Sequence, residues 1–168
     1  YSDMIVGAWA YDAPGTSLND NRGAAYVFFG GPGADAIADL TIVGEQPFDL
    51  LGRSVTGAGD VNGDGYDDFI VGAFLNDAAG IDAGRAYVYH GGPALDAIPD
   101  RVLTGPVAGG NFGRCVAGTG DLNGDGFDDF IISADATNVG GAATGRAYLY
   151  YGGPGADATA DVVFTGAA

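Results

Sequence analysis

The chain has 168 residues and a formal net charge of −16 at pH 7, with 32 glycines and nine each of tyrosine and phenylalanine. This charge disfavours binding to nucleic acid or to an anionic membrane surface, because phosphate groups repel it. Abundant glycine and aromatic residues favour short strands joined by tight turns, so we expect an all-β fold. We expect no membrane span, since no stretch approaches the roughly 18 apolar residues that one requires.

Two sequence patterns recur along the chain. The opening segment YSDMIVGA matches YDDFIVGA at residues 66–73, and the strand pattern YVFFGGP from Tyr26 recurs as YVYHGGP from Tyr87 and YLYYGGP from Tyr148, at intervals of 61 residues. One strand-rich unit of this length cannot bury both of its faces alone. The period therefore predicts blades of a β-propeller or a stacked array.

The middle copy predicts a complete unit of four antiparallel strands, near residues 52–59, 67–74, 85–91 and 100–105. The last copy repeats the whole unit, whereas the first lacks its first strand, which gives about two and three-quarter units. A propeller closes with about four to eight blades, so we expect a longer chain or assembly with further copies. The predicted divisions of this one propeller domain are a partial first blade at 1–51, a second at 52–111 and a third at 112–168.

The connection between the first two strands of the middle unit (residues 60–68, here loop A) is acidic and rich in glycine. Oxygen donors recur at alternate positions, and Gly63 and Gly65 let the backbone turn sharply because glycine adopts positive φ at little cost. Such hard oxygen donors suit Ca²⁺, which takes six to eight oxygen ligands. The predicted ligands are the side chains of Asp60, Asn62, Asp64 and Asp68 and the backbone carbonyl of Tyr66.

The last unit repeats this connection at residues 121–129 (loop B). The opening residues of the chain correspond to the end of a third such loop, where Tyr1 would supply a carbonyl and Asp3 a carboxylate. We therefore predict two complete calcium sites and the remnant of a third. The predicted ligands of loop B are the side chains of Asp121, Asn123, Asp125 and Asp129 and the carbonyl of Phe127.

An EF-hand and an ordinary turn are the two alternatives to this kind of calcium loop. An EF-hand requires a bidentate glutamate at position 12, where the two loops have Val71 and Ile132 within strand patterns. The EF-hand is therefore excluded. Ordinary turns remain an alternative, since Asp, Asn and Gly are common turn residues. Mutual repulsion among the carboxylates of one loop favours a bound cation over a simple turn.

The segments FGRCVAGTGDLNGDGFDD and GRAYLYYGG of the last unit together resemble the FG-GAP repeat of integrin α-subunit β-propellers and their bacterial relatives. The resemblance covers essentially the whole chain. It implies a seven-bladed propeller with structural Ca²⁺ in the first-to-second-strand hairpins and partner contacts on other loops. Departures from the family pattern favour a microbial relative; they are Leu51 for Phe, Ser133 for Gly, and Trp9, Phe74 and Asp135 for Pro.

Three functions are compatible with this sequence. The favoured one is an extracellular or cell-surface calcium-binding module for adhesion or for binding a protein or glycan, and the alternative is a structural repeat of a surface fibre or layer that assembles through blade edges. A secreted hydrolase or lyase scaffold is least favoured, because the chain has one histidine and no lysine. We predict no catalytic residue and no cofactor besides Ca²⁺.

The remaining notable side chains have structural interpretations. His90 occupies a strand-end position that holds Phe29 and Tyr151 in the other copies, which indicates a requirement for aromatic bulk. Cys115, the only cysteine, is expected to be a small buried residue. We expect the aromatic residues of the third strands to pack between blades; these are Tyr26, Phe28, Tyr87, Tyr89, Tyr148 and Tyr150.

Overall fold

The structure is a computed structural model that describes residues 1–17, 19–136, 138–139 and 142–166. All regular secondary structure in these residues is β-strand, which confirms the predicted all-β class. None of the described segments forms a helix that could span a membrane. The strands are β1 (Met4–Ala8), β2 (Ala24–Phe28), β3 (Leu40–Val43), β4 (Val55–Gly59), β5 (Asp68–Ala73), β6 (Arg85–Tyr89), β7 (Arg101–Thr104), β8 (Phe112–Gly120), β9 (Asp129–Ala134), β10 (Asn138–Val139), β11 (Ala142–Ala143), β12 (Arg146–Tyr150) and β13 (Val162–Thr165).

The strands form three larger antiparallel sheets, which we call blades 1, 2 and 3. Blade 1 has the order β1-β2-β3, blade 2 the order β4-β5-β6-β7, and blade 3 the order β8-β9-β12-β13. A separate two-stranded hairpin, β10-β11, lies in the connection between β9 and β12. Two four-stranded blades and one three-stranded blade are the arrangement that the repeat pattern predicts.

The blades pack face to face, and the second strand of blade 2 is buried on both faces. Ile70 of β5 contributes to an apolar core shared with blade 3, whereas its neighbour Val71 contributes to a core shared with blade 1. Alternate side chains of a strand point to opposite faces, so β5 supplies both cores at once. Strand β8 of blade 3 packs against β4 and β5 of blade 2 and completes the second interface.

Aromatic residues of the third strands fill these interfaces. Tyr89 stacks on Phe69 with ring centroids 5.0 Å apart, and Tyr150 stacks on Phe130 at 5.2 Å in the equivalent position of blade 3. Burial raises the pKa of the Tyr89 and Tyr150 hydroxyls well above the usual value. The prediction of inter-blade packing is confirmed for Tyr87, Tyr89, Tyr148 and Tyr150, whereas Tyr26 and Phe28 of blade 1 are half-buried.

The prediction that Cys115 is buried is wrong. The pairing of β8 with β9 is interrupted between Phe112 and Val116, and Val116 points into the core. Because side chains alternate along a strand, Cys115 lies on the opposite face, where it is exposed. Its backbone N–H donates to Ser133 Oγ at 3.0 Å. The sequence pattern did not indicate which face of β8 carries the sulfur.

Candidate metal centre

Loop A connects β4 to β5 and is organised around the carboxylate of Asp60. Asp60 Oδ1 accepts the backbone N–H groups of Gly63 at 2.7 Å and Asp64 at 3.0 Å, while Oδ2 accepts that of Gly65 at 2.8 Å. Gly63 and Gly65 have φ values of 78° and 90°, in the left-handed region that glycine adopts without strain. The two glycines therefore fold the loop back over the Asp60 carboxylate, as predicted.

The middle of loop A is held by the next two predicted ligands. Asn62 Nδ2 donates to Asp64 Oδ2 at 2.9 Å, and Asn62 Oδ1 accepts the backbone N–H of Asp64 at 2.8 Å. Asp64 Oδ1 in turn accepts the backbone N–H of Tyr66 at 2.9 Å. The hydrogen bond from Asn62, followed by that from Tyr66, holds the pKa of Asp64 below its usual value. Asp64 is consequently favoured in its charged form, which is the form that binds a cation.

Asp68, the last predicted ligand of loop A, lies at the start of β5 and is 1% exposed. Its Oδ2 accepts the backbone N–H of Val61 at 2.9 Å, and its Oδ1 accepts that of Gly91 at 2.8 Å. Burial raises the pKa of Asp68 although both hydrogen bonds oppose that shift. Asp68 thus connects the beginning of loop A to the end of β6.

Loop B repeats the same arrangement between β8 and β9. Asp121 accepts backbone N–H groups of Gly124 at 2.7 Å and Gly126 at 2.9 Å, and Asn123 Nδ2 donates to Asp125 Oδ2 at 2.9 Å. The hydrogen bond from the Gly126 N–H is the main cause of the lowered pKa of Asp121. Three further bonds match loop A: Phe127 N–H to Asp125 Oδ1 at 3.0 Å, Leu122 N–H to Asp129 Oδ2 at 2.8 Å, and Gly152 N–H to Asp129 Oδ1 at 2.9 Å.

The two residues predicted as the remnant of a third site keep the same positions relative to their own blade. Asp3 Oδ1 accepts the backbone N–H of Gly30 at 2.8 Å, as Asp68 accepts that of Gly91. The Tyr1 ring lies against Gly31, with 3.3 Å between a ring carbon and the place a Cβ would take. Tyr1 and Asp3 are therefore the structural equivalents of the last two predicted ligands of loops A and B.

The donor set of each loop fits a hard divalent cation in its chemistry. All the predicted ligands are oxygen atoms from carboxylates, an amide or a backbone carbonyl, which are the donors that Ca²⁺ prefers. Each carboxylate oxygen offers about two acceptor positions, so the hydrogen bonds above leave lone pairs for a cation. Within the described residues, no three Asp, Glu, His or Cys side chains come together as a group that could hold a metal ion.

The sequence pattern did not single out one residue that the structure places against loop A. Asp128 of blade 3 accepts the backbone N–H of Asp60 through Oδ2 at 2.9 Å, and its own N–H donates to the Asp60 carbonyl at 3.1 Å. The sequence marks Asp128 only by repetition, because an Asp-Asp pair recurs in both loops. The second Asp of each pair is a predicted ligand, whereas the first, Asp67 or Asp128, is not.

Comparison with known proteins identifies the repeat. The family model "FG-GAP repeat" matches residues 112–150, from the start of β8 to the end of β12, and so includes loop B. Integrin alpha-5 of Xenopus laevis is 38% identical over 128 residues, which cover 73% of this chain and 12% of that protein. This chain is an integrin-like FG-GAP repeat protein.

Other relatives of this FG-GAP chain are also integrin α chains. Integrin alpha-8 of Mus musculus is 36% identical over 125 residues, covering 69% of this chain and 12% of that protein. Integrin alpha-IIb of Homo sapiens is 39% identical over 98 residues, covering 54% of this chain and 9% of that protein. The FG-GAP chain therefore spans about one eighth of the length of the first two relatives.

The FG-GAP signature residues have packing roles in the structure. A Cβ on Gly113 would lie 2.2 Å from the Arg85 carbonyl of blade 2, and one on Gly72 would lie 2.1 Å from the Gly113 carbonyl, so both positions require glycine where two blades meet. Leu51, which replaces the signature phenylalanine, is 2% exposed and retains its apolar burial. Ser133, which replaces the glycine equivalent to Gly72, accepts the Cys115 N–H through its hydroxyl.

Proposed function

We propose that this chain is part of an extracellular calcium-binding FG-GAP propeller module that binds a protein or glycan ligand, with calcium in a structural role. The observation that supports calcium is the repetition of one oxygen-lined loop with the same internal hydrogen bonds in two blades. Similarity to integrin α chains supports an extracellular or cell-surface location and a binding role. The proposal assigns no catalytic residue.

In the proposed sites, Ca²⁺ neutralises carboxylates that would otherwise repel one another. Asp60, Asn62, Asp64, Tyr66 through its carbonyl, and Asp68 would hold it in loop A, and their equivalents would do so in loop B. Asp60 keeps the loop closed through backbone amides, while Asp68 joins the loop to the end of β6 through the Gly91 N–H. A filled loop would therefore link the first, second and third strands of one blade.

The test is the calcium dependence of thermal stability. A ligand that binds only the native state stabilises it by mass action, by about 2.7 kcal/mol at a hundredfold excess over Kd. We expect chelation to lower the Tm of the parent, and Asp64→Ala or Asp125→Ala to remove part of the calcium-induced rise. Asp67→Ala is the matched control, because it removes the same charge from loop A without removing a predicted ligand. A parent Tm that is indifferent to chelator would contradict the proposal.

A second candidate function is a structural repeat that joins neighbouring copies. It is favoured by the apolar side chains of β1, where Met4 and Val6 are 56% and 42% exposed although their counterparts in β5 are buried. Exposed apolar strands tend to pair with other chains. Light scattering with and without Ca²⁺ separates the two functions: discrete particles support the module, and ordered polymers support the repeat.

A further inference from the structure

Loop A is held from outside by blade 3 as well as by its own residues. Asp128 bridges the N–H and the carbonyl of Asp60, and the Gly153 N–H donates to the Val61 carbonyl at 2.8 Å. The first two residues of loop A are thereby fixed by three hydrogen bonds from the neighbouring blade. Asp60 is also the carboxylate around which the loop folds, so these bonds act on a predicted ligand.

Side-chain packing reinforces this contact. Gly59, which precedes loop A, leaves room for the Asp128 carboxylate, since a Cβ there would lie 2.0 Å from Asp128 Oδ2. Similarly, a Cβ on Gly63 would lie 2.3 Å from the ring of Phe127. Asp128 and Phe127 therefore fit against the two glycines that begin and bend loop A.

The residues that hold loop A lie among the predicted ligands of loop B. Phe127 supplies the predicted carbonyl ligand of loop B, and Asp129 supplies its last predicted carboxylate. Asp128 therefore lies between two predicted ligands of loop B in the chain, while its side chain accepts a hydrogen bond from Asp60 of loop A. A cation in loop B would fix the backbone of residues 127–129. Fixing that segment also fixes the groups that organise loop A.

We propose that the two calcium loops are energetically coupled, so that filling loop B increases the affinity of loop A, with Asp128 as the positioning residue between them. This inference rests on the proposed function. Coupling of binding free energies is reciprocal, so filling loop A also favours loop B. Loop A has the higher affinity of the two, because its first residue is already held by blade 3 and loses less conformational freedom on binding.

The experiment is a calcium titration in which each loop is observed separately by NMR. The backbone amides of Gly65 and Gly126 donate to Asp60 and Asp121, so their resonances report loops A and B respectively. We expect Asp128→Ala to lower the calcium affinity of loop A by about fivefold to tenfold, which is at the lower end of typical coupling between two sites. We expect Asp128→Asn to restore the parent affinity, because its amide oxygen can still accept the Asp60 N–H.

Two further variants complete the design. Asp67→Ala is the matched control, because Asp67 occupies the same position in loop A but its side chain has no hydrogen bond or ion pair within the described residues. Asp125→Ala removes a predicted ligand of loop B. We expect it to lower the calcium affinity of loop A by about fivefold, although the two loops share no ligand.

The outcomes separate the coupling from calcium binding itself. If the Gly65 and Gly126 resonances of the parent protein do not respond to Ca²⁺, both the proposed function and the coupling are overturned. If both resonances respond but Asp128→Ala behaves like Asp67→Ala, only the coupling is overturned. The coupling is also overturned if Asp125→Ala, which disables loop B, leaves the calcium affinity of loop A unchanged. Lower calcium affinity of loop A in both Asp125→Ala and Asp128→Ala, with recovery in Asp128→Asn, supports it.

Discussion

Loops A and B have nearly the same sequence and the same internal hydrogen bonds, yet they differ in what covers them. Val61, the second residue of loop A, is 1% exposed, whereas the equivalent Leu122 of loop B is 58% exposed. Gly63 lies against the Phe127 ring, while a Cβ on Gly124 would meet no atom within 4 Å. The repeat sequence thus determines how a loop folds on itself, and the following blade determines whether the second residue of the loop is buried.

The largest expected effect comes from substitution of Gly59, which precedes loop A as Gly120 precedes loop B. Gly59 and Gly120 have φ values of 74° and 69°, so alanine is strained at both positions, at a cost of about 1 kcal/mol. At Gly59 the added Cβ also collides with Asp128, and overpacking adds about 2 kcal/mol. We expect Gly59→Ala to lower the free energy of unfolding by about 3 kcal/mol and Gly120→Ala by about 1 kcal/mol.

Urea denaturation at fixed Ca²⁺ measures this difference. Gly120→Ala is the internal control for backbone strain, because its Cβ would be 4.0 Å from the nearest Asp128 oxygen. Equal losses of unfolding free energy in the two variants would show that Asp128 of blade 3 does not pack against Gly59 in solution.

A medium effect is expected at the second position of the loops. Val61→Ala removes two buried carbon groups, each worth about 0.8 kcal/mol, so we expect a loss of about 2 kcal/mol with the cavity included. Leu122→Ala removes more carbon from an exposed side chain and should change stability by less than about 0.5 kcal/mol. Calorimetry of both variants with the same Ca²⁺ concentration tests this order, and a larger loss in Leu122→Ala would reverse the comparison.

The smallest effect is expected at the seventh position, where loop A has Tyr66 and loop B has Phe127. The predicted ligand is the backbone carbonyl, and the Tyr66 side chain is 49% exposed. We therefore expect Tyr66→Phe to leave the stability and the calcium affinity of loop A unchanged within about 0.5 kcal/mol. Isothermal titration calorimetry checks the affinity, and a clear loss would mean that the phenol hydroxyl takes part in the site.

Much of the architecture was predictable from the repeat itself. Strands β4 to β7 fall within the four predicted segments of the middle unit, and the missing first strand of blade 1 follows from the match of Tyr1 to Tyr66. These predictions succeed because alternating apolar residues and glycine-rich turns act locally. The burial of Cys115 was predicted wrongly, because the interruption of pairing in β8 determines which face that side chain occupies.

The sequence alone determined the fold class, the blade pattern and the oxygen-bearing side chains of both loops, because each depends on residues close together in the chain. The contact of Asp128 with Asp60 joins residues 68 positions apart, and only the packing of blade 3 on blade 2 brings them together. The same packing buries Val61 of loop A and leaves the equivalent Leu122 of loop B exposed. A local pattern recurs in each complete unit, whereas the burial of a residue depends on which neighbouring blade lies against it.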